Sequence, residues 1–570
     1  MALSAETMLP KQWPKAWLAQ PSHLRWTLHA IVLIVVAIVF WPVVHGSFVW
    51  DDWRSFHDTP WLTQGDLWMH YIFKGFNDWT YYFRPLGVLV LTAEVRLFDD
   101  APGPMHAVSL AMHLIDTSLV GLLAWNIGRS ITNQTNRAWT TTGCMALYGL
   151  HPLLIEPVSW IGCQFDLLAT MFMLIGLLAN FRIQAKTTRA VVLGILFFLA
   201  ACAKESAIAF PLILAIWNWT LIGSNESAPS SERIKQQLRR NALSYGCIFL
   251  AGVAYLVLRH SMLGSLGKFG SYGITPFGRY QEICFTYLRY LRIMLWPMGG
   301  MSPIHHFIES QLNRASIAFI ARDAAASFLV IVSIFCTIKY RSAWASLILT
   351  ITAGLLPVLH IIPGDFDHSI YHERYAMTAL ATGCAMLPAL WRPLPLSDSL
   401  RRRLPMLGLP LIFLWFAISI IGIRITVPRW HDDISLWTWS HNVDPYDPQS
   451  KDNLLYAYIH AGKVEQAKRF SDQLLNDAAP CANCMARIAG MSLDLGDLPH
   501  AEMALKRLQR SPLLAADRHL CGEYYKLTGR MLLMRNDPAE AKPLLSYAAH
   551  LVPDDPEVHS LLAKATAEAH

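Results

Sequence analysis

The stretch WTLHAIVLIVVAIVFWPVV, Trp26 to Val44, contains no acidic or basic residue apart from one histidine, and the polar segment HGSFVWDDWRSF (45–56) follows it directly. A bilayer core of roughly 30 Å needs about 20 mostly apolar residues for one helical crossing. The stretch therefore predicts a membrane-spanning helix. Lys11, Lys15 and Arg25 precede it and predict a cytoplasmic N-terminal end. Because no small-residue cleavage site follows, we interpret it as an uncleaved anchor and not a removed signal peptide.

Similar apolar runs recur as far as about residue 424. The 570-residue chain is 54% hydrophobic and only 15% charged, whereas about a quarter of the residues in a soluble protein are charged. Two apolar stretches, 84–98 and 280–297, contain several charges, which are costly at the centre of a lipid-exposed helix. We interpret these two as amphipathic helices at the membrane interface. The sequence predicts eleven spans, at approximately 26–44, 105–127, 138–154, 166–182, 190–204, 206–222, 242–258, 318–338, 343–362, 373–391 and 405–424.

The charge distribution predicts the orientation. With eleven spans, most basic residues fall in cytoplasmic loops, and the first outer loop, 45–104, is rich in aspartate. The net charge of +6 therefore indicates membrane orientation and no nucleic-acid partner. Residues 1–25 form a cytoplasmic tail, 26–424 a membrane domain, and 425–570 a soluble domain on the outer side. The short outer loops favour a bacterial inner membrane with this domain in the periplasm; the lumenal face of the endoplasmic reticulum is the alternative.

The soluble domain contains a weak internal repeat. The first two repeats start 34 residues apart, and in each repeat a turn residue precedes a helix with alanine at the same offset. This spacing is typical of tetratricopeptide repeats, and an ordinary helical bundle is the alternative. The repeats are GKVEQAKRF from Gly462 with Ala467, GDLPHAEMAL from Gly496 with Ala501, and NDPAEAKPLL from Asn536 with Ala541. Cys481, Cys484 and Cys521 also lie here, and either one disulfide or three buried thiols fits an outer location.

The first outer loop carries candidate catalytic groups. Asp51 and Asp52 follow the first span and are flanked by Trp50 and Trp53. Partial desolvation would raise the basicity of such a carboxylate and suit it to accept a proton from a hydroxyl. Arg84, in YYFRPLG, has a planar fork that suits a phosphate. A solvated acidic turn and an interfacial anchor are the structural alternatives.

Three further polar clusters fall at the same predicted membrane face. Polar residues gathered at one membrane side are typical of a functional site, and Lys204 and Arg374 are candidate phosphate ligands. Each of these residues also has a purely structural interpretation. Asp166 could cap a helix, Lys204 could pair with Glu205, and Arg374 could snorkel to the membrane interface. The clusters are His151, Glu156 and Asp166 in HPLLIEPVSWIGCQFD, Lys204 and Glu205 in ACAKESAIAFP, and Asp365, Asp367, His368, His372, Glu373, Arg374 and Tyr375 in PGDFDHSIYHERYAM.

Several short motifs occur in a specific order. They are FVWDDW, YYFRPL, MHAVSLAMHL, LHPLLIEPVSWIGCQFDLLA, AKESAIAFP, YLRYLRIMLWP, YHERY and RWHDDISLW, which lead into the repeats. From about His45 to the C-terminus, this order resembles the transmembrane-and-tetratricopeptide O-mannosyltransferase family and its bacterial relatives. These are glycosyltransferases of the GT-C superfamily, so the resemblance implies an all-α membrane enzyme with juxtamembrane helices.

The resemblance also implies an activity. GT-C enzymes move a sugar from a polyprenyl-phosphate donor, at the periplasmic or lumenal face, to an acceptor, here a protein Ser/Thr hydroxyl. It implies that Asp51 or Asp52 is the catalytic base of an inverting displacement. Gln164 stands where relatives tend to carry a basic residue, so the sugar and acceptor stay open. We assign donor phosphate binding to Arg84, Lys204 and Arg374, and substrate binding or support to His151, Glu156, Asp166, Glu205, His372, Glu373 and Tyr375.

No cofactor is required by these motifs, although a divalent metal ion could share the charge stabilisation. The chain lacks a phosphate-binding P-loop, a dinucleotide fingerprint and an HExxH zinc motif. The repeat domain would recruit a polypeptide acceptor. A transferase acting on a glycolipid or cell-wall glycan is the nearest alternative. A non-catalytic scaffold that works through its repeats is an alternative of another class.

Overall fold

The computed structural model of the chain describes residues 21–569 apart from a set of short segments. Most of the predicted tail 1–25 therefore lies outside the described residues, as do Asp365, Asp367 and His368. The segments left out are 58, 63–64, 75–81, 223–229, 266–274, 307–315, 363–368, 392–397 and 479–480. All the regular elements in the described residues are helices, and the chain divides into two compact units, Met1–Asp432 and Asp433–His570.

The first unit contains fifteen α-helices in its described part, several of them joined by short 3₁₀ turns. Their bounds are α1 Pro21–Phe40, α2 Leu67–Lys74, α3 Pro85–Phe98, α4 Pro102–Ile127, α5 Gln134–Gly149, α6 Ile155–Ser159, α7 Gln164–Arg182, α8 Lys186–Ala203, α9 Phe210–Leu221, α10 Ser230–Leu263, α11 Pro276–Leu295, α12 Ile317–Tyr340, α13 Ala343–Leu355, α14 Met377–Met386 and α15 Asp398–Thr426.

Seven helical segments in the described residues are long and apolar enough to cross a membrane. Each overlaps one of the eleven predicted spans, and together they have the length and composition of an integral membrane protein. The seven segments are His23–His45, Pro102–Ser130, Ile161–Arg182, Lys186–Ala203, Ser231–Leu263, Ile317–Tyr340 and Gly408–Trp430.

The other four predicted spans coincide with shorter helices and stay a prediction. Two of them are the apolar helices Glu205–Leu221 and Ala343–Val358. In the remaining two, α5 stops at Gly149 before a 3₁₀ turn that begins at Pro152, and α14 has ten residues before a 3₁₀ turn that contains Pro388. Proline interrupts a helix because it lacks the N–H that the hydrogen-bond ladder needs.

The two stretches predicted to lie at the interface form helices α3 and α11, and neither is among the seven candidate spans. Their acidic side chains are buried against protein partners. Glu94 in α3 is 4% exposed and accepts a hydrogen bond from Gln164 at 3.0 Å. Glu282 in α11 is also 4% exposed and pairs with Arg279 at 2.7 Å. The charges that disfavour lipid contact are thus satisfied inside the protein.

The second unit is built from short helices joined by tight turns. The three predicted turn residues all have left-handed backbone conformations, with φ of 66° at Gly462, 74° at Gly496 and 57° at Asn536. Glycine and asparagine tolerate this conformation best. The helices are α16 Asp433–Val443, α17 Pro448–His460, α18 Val464–Leu475, α19 Ala482–Asp494, α20 Leu498–Gln509, α21 Leu513–Ala516, α22 Arg518–Met534, α23 Pro538–Leu551 and α24 Pro556–Glu568.

Two further features of this unit follow from its sequence. The alanines at the repeated offset, Ala467, Ala501 and Ala541, have no exposed surface, so small side chains lie where helices approach closely. Of the two options for the cysteines, the structure has the disulfide. Cys481 is bonded to Cys484, and Cys521 is a free thiol.

The buried alanines allow a prediction about stability. Ala541→Leu is expected to lower the free energy of unfolding of the second unit by about 1–3 kcal/mol, because extra methylenes in a packed interface force side chains or backbone to shift. Ala539→Leu, at an exposed position of the same helix, is the matched control and should have little effect. Thermal unfolding followed by circular dichroism measures both, and equal effects of the two changes would contradict the close packing.

Candidate functional site at the helix ends of the first unit

The loop after α1 holds the first candidate residues and has an unusual backbone. Trp50 has a φ of 58°, which a bulky residue rarely adopts. Its ring stacks on that of Trp160 with a centroid distance of 4.7 Å, and a π-helical turn, Trp53–His57, follows directly. Strained backbone of this kind persists only where packing holds it, and it is frequent at functional sites.

The two adjacent aspartates have different surroundings. Asp52 is fully buried, and its carboxylate accepts hydrogen bonds from the backbone N–H of Gly162 at 3.0 Å and of Val49 at 3.3 Å. This carboxylate ties the loop to the junction between α6 and α7. Asp51 is only half-buried. The fully buried Asp52 is suited to hold the loop in place, whereas Asp51 is more accessible to a substrate.

Glu156 and Arg374 form a buried ion pair between α6 and the 3₁₀ turn before α14. Besides the contact between the two charged groups, the backbone N–H of Arg374 donates to the Glu156 carboxylate at 2.9 Å. The guanidinium lies 4.9 Å from the ring centroid of Trp160 and 4.7 Å from that of Tyr375. Burial raises the pKa of Glu156 to about 6, although Arg374 acts in the opposite direction. The pair therefore connects two predicted clusters.

Two candidate histidines hold neighbouring segments together. The Nδ1 of His151 accepts from the Leu153 N–H at 3.2 Å, and its Nε2 donates to the Met294 carbonyl at 2.9 Å. Both ring nitrogens are therefore occupied in one neutral tautomer. His372 is buried, lies 3.7 Å from Glu156 and contacts the Pro303 carbonyl at 3.1 Å. Both residues support the fold around Glu156.

The acid next to Arg374 has a partner that sequence analysis missed. Glu373 is buried and hydrogen-bonds His305 through Nε2 at 2.8 Å. The imidazole of His305 stacks on Tyr371 with a centroid distance of 3.8 Å. No motif surrounds His305 in the sequence, and 68 residues separate it from Glu373, so no local signal was present to find it.

Lys204 and Asp166 form a second buried ion pair. The ammonium lies 2.6 and 2.7 Å from the two carboxylate oxygens, so Lys204 does not pair with its neighbour Glu205. The ammonium also lies 5.1 Å from the ring centroid of Tyr375. Tyr375 thus has Lys204 and Arg374 beside its ring and links two of the clusters.

Arg84 belongs to a group with one more cation than predicted. Glu205 accepts from Arg84 at 2.9 Å and from Arg259 at 3.1 Å, and its side chain is 32% exposed. Arg259 lies near the end of α10, an apolar helix without a recognisable motif, and the sequence analysis did not include it. The three side chains together carry one net positive charge. The group is accessible from outside the protein through the partly exposed Glu205.

These contacts form one connected set of side chains. Trp50, in the loop after α1, stacks on Trp160, and Trp160 contacts Arg374. Arg374 also contacts Tyr375, whose ring lies beside Lys204, and Lys204 pairs with Asp166. The ring next to Asp166, Phe165, lies 5.2 Å from the guanidinium of Arg84. All four predicted clusters therefore contribute to one region of the first unit, built from helix ends.

The side chain of Gln164 is buried and connects three helices. Its side-chain amide donates to Glu94 and to the Met105 carbonyl, at 3.0 and 3.1 Å, and also contacts the Ser109 hydroxyl at 3.1 Å. Burial raises the pKa of Glu94 to about 7, and the Gln164 hydrogen bond only partly opposes this. A neutral amide therefore joins α7 to α3 and α4.

The raised pKa of Glu94 predicts a pH dependence of stability. Between about pH 4.5 and pH 7 the folded chain keeps a proton that the unfolded chain has lost, so the stability of the wild type falls as pH rises. Glu94→Gln should remove this fall and exceed the wild type by up to roughly 3 kcal/mol at about pH 8. Thermal unfolding of both proteins in detergent across this pH range measures the difference in stability. If the stability of the wild type and of Glu94→Gln changed with pH in the same way, the raised pKa of Glu94 would be contradicted.

Metal binding was tested on the arrangement of donor groups. Within the described residues, no three side chains among the histidines, cysteines, aspartates and glutamates are placed to hold a metal ion together. The carboxylates near the loop after α1 instead pair with arginine, lysine or backbone N–H groups. The described residues thus form no set of metal ligands, and the roles proposed below are those of protein groups.

Comparison with known proteins gives no assignment of this arrangement. No family model, no curated protein and no solved structure matches the chain.

Proposed function

We propose that this chain is a glycosyltransferase of the GT-C type, which moves a sugar from a polyprenyl-phosphate donor to a hydroxyl acceptor. The observation that carries the proposal is the connected set of acidic, cationic and aromatic side chains at the helix ends of the first unit. Such a set combines a carboxylate for proton transfer with cations for a leaving phosphate. The resemblance in the order of short motifs supports the same reading.

The donor phosphate is proposed to bind at Arg84 and Arg259. Both arginines contact Glu205, whose side chain is one-third exposed, so two guanidinium groups lie together where an anion can reach them. Lys204 and Arg374 each have a carboxylate of their own within ion-pair distance. Their charges are already compensated, and we therefore assign them to holding the site in shape.

The catalytic base is proposed to be Asp51. Its carboxylate accepts the proton of the acceptor hydroxyl while that oxygen attacks the anomeric carbon. A new C–O bond forms on one face as the bond to the donor phosphate oxygen breaks on the other, so the configuration inverts. The bonding pair leaves with the phosphate, and the arginine pair stabilises the charge that develops there.

The second unit is proposed to be a tetratricopeptide-like domain that recruits a polypeptide acceptor. Its left-handed turns and fully buried repeat alanines support this assignment. The Cys481–Cys484 disulfide is of the kind that persists in oxidising compartments, which supports a periplasmic location. We propose the eleven-span arrangement for the first unit, whose odd number of crossings would put this domain and the first outer loop on the same side of the membrane.

The proposal can be tested with the purified full-length chain in lipid vesicles. The vesicles contain lipid-linked sugars extracted from the host, and exported host proteins are added as acceptor. We expect a loss of polyprenyl-phosphate sugar, with the same sugar mass appearing on protein. Transfer to an added envelope glycolipid would retain the enzyme class and change the acceptor. No consumption of any lipid-linked sugar with either acceptor would favour the scaffold function.

A further inference from the structure

Helix α4 carries a row of buried polar side chains along one face. His106, Ser109, His113 and Asp116 follow one another at intervals of three, four and three residues, which places them on the same side of a helix. None has any exposed surface. The helix belongs to the candidate span Pro102–Ser130. Ionisable residues inside a span are costly and are typical of ion or proton pathways.

The end of this row lacks protein partners. Both carboxylate oxygens of Asp116, the Nδ1 of His113 and the hydroxyl of Tyr148 on α5 are buried and have no hydrogen-bond partner among the described residues. The rings of His113 and Tyr148 are 5.7 Å apart between centroids. Asp116 lies one turn after His113 on the same face of α4. Three unpartnered polar groups are therefore neighbours inside the helix bundle.

The hydrogen-bonding capacity of these groups indicates which ligand they suit. His113 donates through Nε2 to the Gly149 carbonyl at 3.1 Å, so its Nδ1 is an acceptor in the neutral ring. An ionised Asp116 would add only acceptors, and Tyr148 would be the single donor. A protonated Asp116 supplies a second donor and removes the cost of burying an unpaired charge.

Among the described titratable groups near this site, His29 of α1 hydrogen-bonds Ser118 at 2.9 Å, and the arginines of the neighbouring helices lie farther along α4. Arg25 and Arg137 both contact Trp125, which lies about 14 Å beyond Asp116 along α4. The acids on the helices that pack against α4 have partners of their own, which are Gln164 for Glu94, Arg374 for Glu156 and Lys204 for Asp166. The ionisable groups on those helices are His23, Arg25 and His29 of α1, Glu94 and Arg96 of α3, Arg137, Cys144 and Tyr148 of α5, Glu156 of α6, Asp166 and Arg182 of α7, and Cys384 of α14.

The row also connects to the loop after α1. The Nε2 of His106 hydrogen-bonds the Ser47 carbonyl at 3.1 Å, four residues before Asp51. From His106 to Asp116 the helix rises about 15 Å, which is half of a bilayer core of roughly 30 Å. The polar face therefore extends from the loop along α4 over a length equal to about half of a bilayer core.

We propose that His113, Asp116 and Tyr148 form an intramembrane proton-binding site, in which Asp116 is the neutral acid and the polar face of α4 leads to it from the loop. Water and a proton are its ligands. The site does not depend on the proposed glycosyl transfer, because it rests on side chains that the reaction does not use.

Infrared spectroscopy of the full-length chain in lipid tests this site. At about pH 8 an ordinary aspartic acid, with a pKa of roughly 3.9, is fully ionised. We expect the wild type to retain a neutral carboxylic acid band above the amide band, to shift that band in D₂O, and to lose it in Asp116→Asn. Glu94→Gln is the matched control, since it removes another buried acid and should leave the band in place.

Two results would overturn the proposal. One is a wild-type spectrum without a neutral acid band at this pH, which needs no variant and therefore does not depend on how Asp116→Asn folds. The other is a wild-type minus Asp116→Asn difference that contains only carboxylate bands, which would make Asp116 an ionised group with a bound cation. A band that persists in Asp116→Asn and disappears in Glu94→Gln would place the proton on Glu94.

Discussion

Asp51→Asn is expected to reduce sugar transfer by about 10²- to 10⁴-fold, the usual contribution of a positioned general base. The amide keeps the size of the side chain but cannot accept the proton of the acceptor hydroxyl. Because Asp51 is only half-buried and asparagine has the same shape as aspartate, the variant should insert and fold as the wild type does. The initial rate of transfer from lipid-linked sugar in vesicles measures the effect.

Asp52→Asn provides the comparison that separates the two aspartates. The Asp52 carboxylate accepts from two backbone N–H groups, so its replacement should act mainly on the stability of the loop. We expect a lower unfolding temperature and a much smaller loss of transfer rate once the folded fraction is taken into account. If Asp52→Asn loses transfer while Asp51→Asn retains it, the assignment of the base is reversed.

Glu156→Gln is expected to destabilise the first unit by about 3–5 kcal/mol, the typical effect of removing one partner of a buried ion pair. The guanidinium of Arg374 would remain buried between Trp160 and Tyr375 with its charge uncompensated. Thermal unfolding in detergent, followed by tryptophan fluorescence, measures the change. The rate of sugar transfer should decline as well, because the Glu156–Arg374 pair connects the cluster around Glu156 to the cluster around Arg374.

Two further variants test the physical cause of that loss. Glu156→Met combined with Arg374→Met replaces the pair by apolar side chains and should be less destabilising than Glu156→Gln alone, since no charge remains buried. Glu232→Gln breaks the pair of Glu232 with Lys235, whose side chains are both more than half exposed, and should have no measurable effect. Equal losses in the single and double variants would contradict a buried-charge mechanism.

Much of the helical architecture could be read from apolar run length. The stretch around α1 and the run that contains α4 both predict helices that the structure has, because about 20 apolar residues have few other stable arrangements in a membrane. The bounds of shorter helices such as α5 and α14 are harder to predict, because prolines near their ends interrupt the helix before the apolar run ends. The charges of α3 and α11 correctly indicated that these helices differ from the candidate spans.

The candidate site was only partly predictable. Residues such as Arg84, Glu156 and Arg374 lie in short motifs at helix ends, where a polar residue in an apolar context is conspicuous. Which cation pairs with which acid was not predictable, because 38 residues separate Asp166 from Lys204 and 218 separate Glu156 from Arg374. Pairing over such distances is decided by packing of the helices.

The residues that the sequence did not identify as part of the site also owe their roles to distant partners. Arg259 lies in an apolar helix beside His260, with no motif around it, and its importance comes only from sharing Glu205 with Arg84. The Glu94–Gln164 hydrogen bond joins positions 70 residues apart. A departure from a family pattern at one position therefore became interpretable only together with its distant partner.

The most direct test of the central claim is the glycan mass on exported proteins and envelope glycolipids. Cells would carry the wild-type chain, the Asp51→Asn variant, the Asp52→Asn variant, or the chain without the second unit. The proposed function predicts that one sugar-sized mass disappears from a defined acceptor in Asp51→Asn while the variant inserts normally. Unchanged glycans in Asp51→Asn and in Asp52→Asn, together with a defect on removal of the second unit, would contradict it and leave a scaffold that works through its repeats.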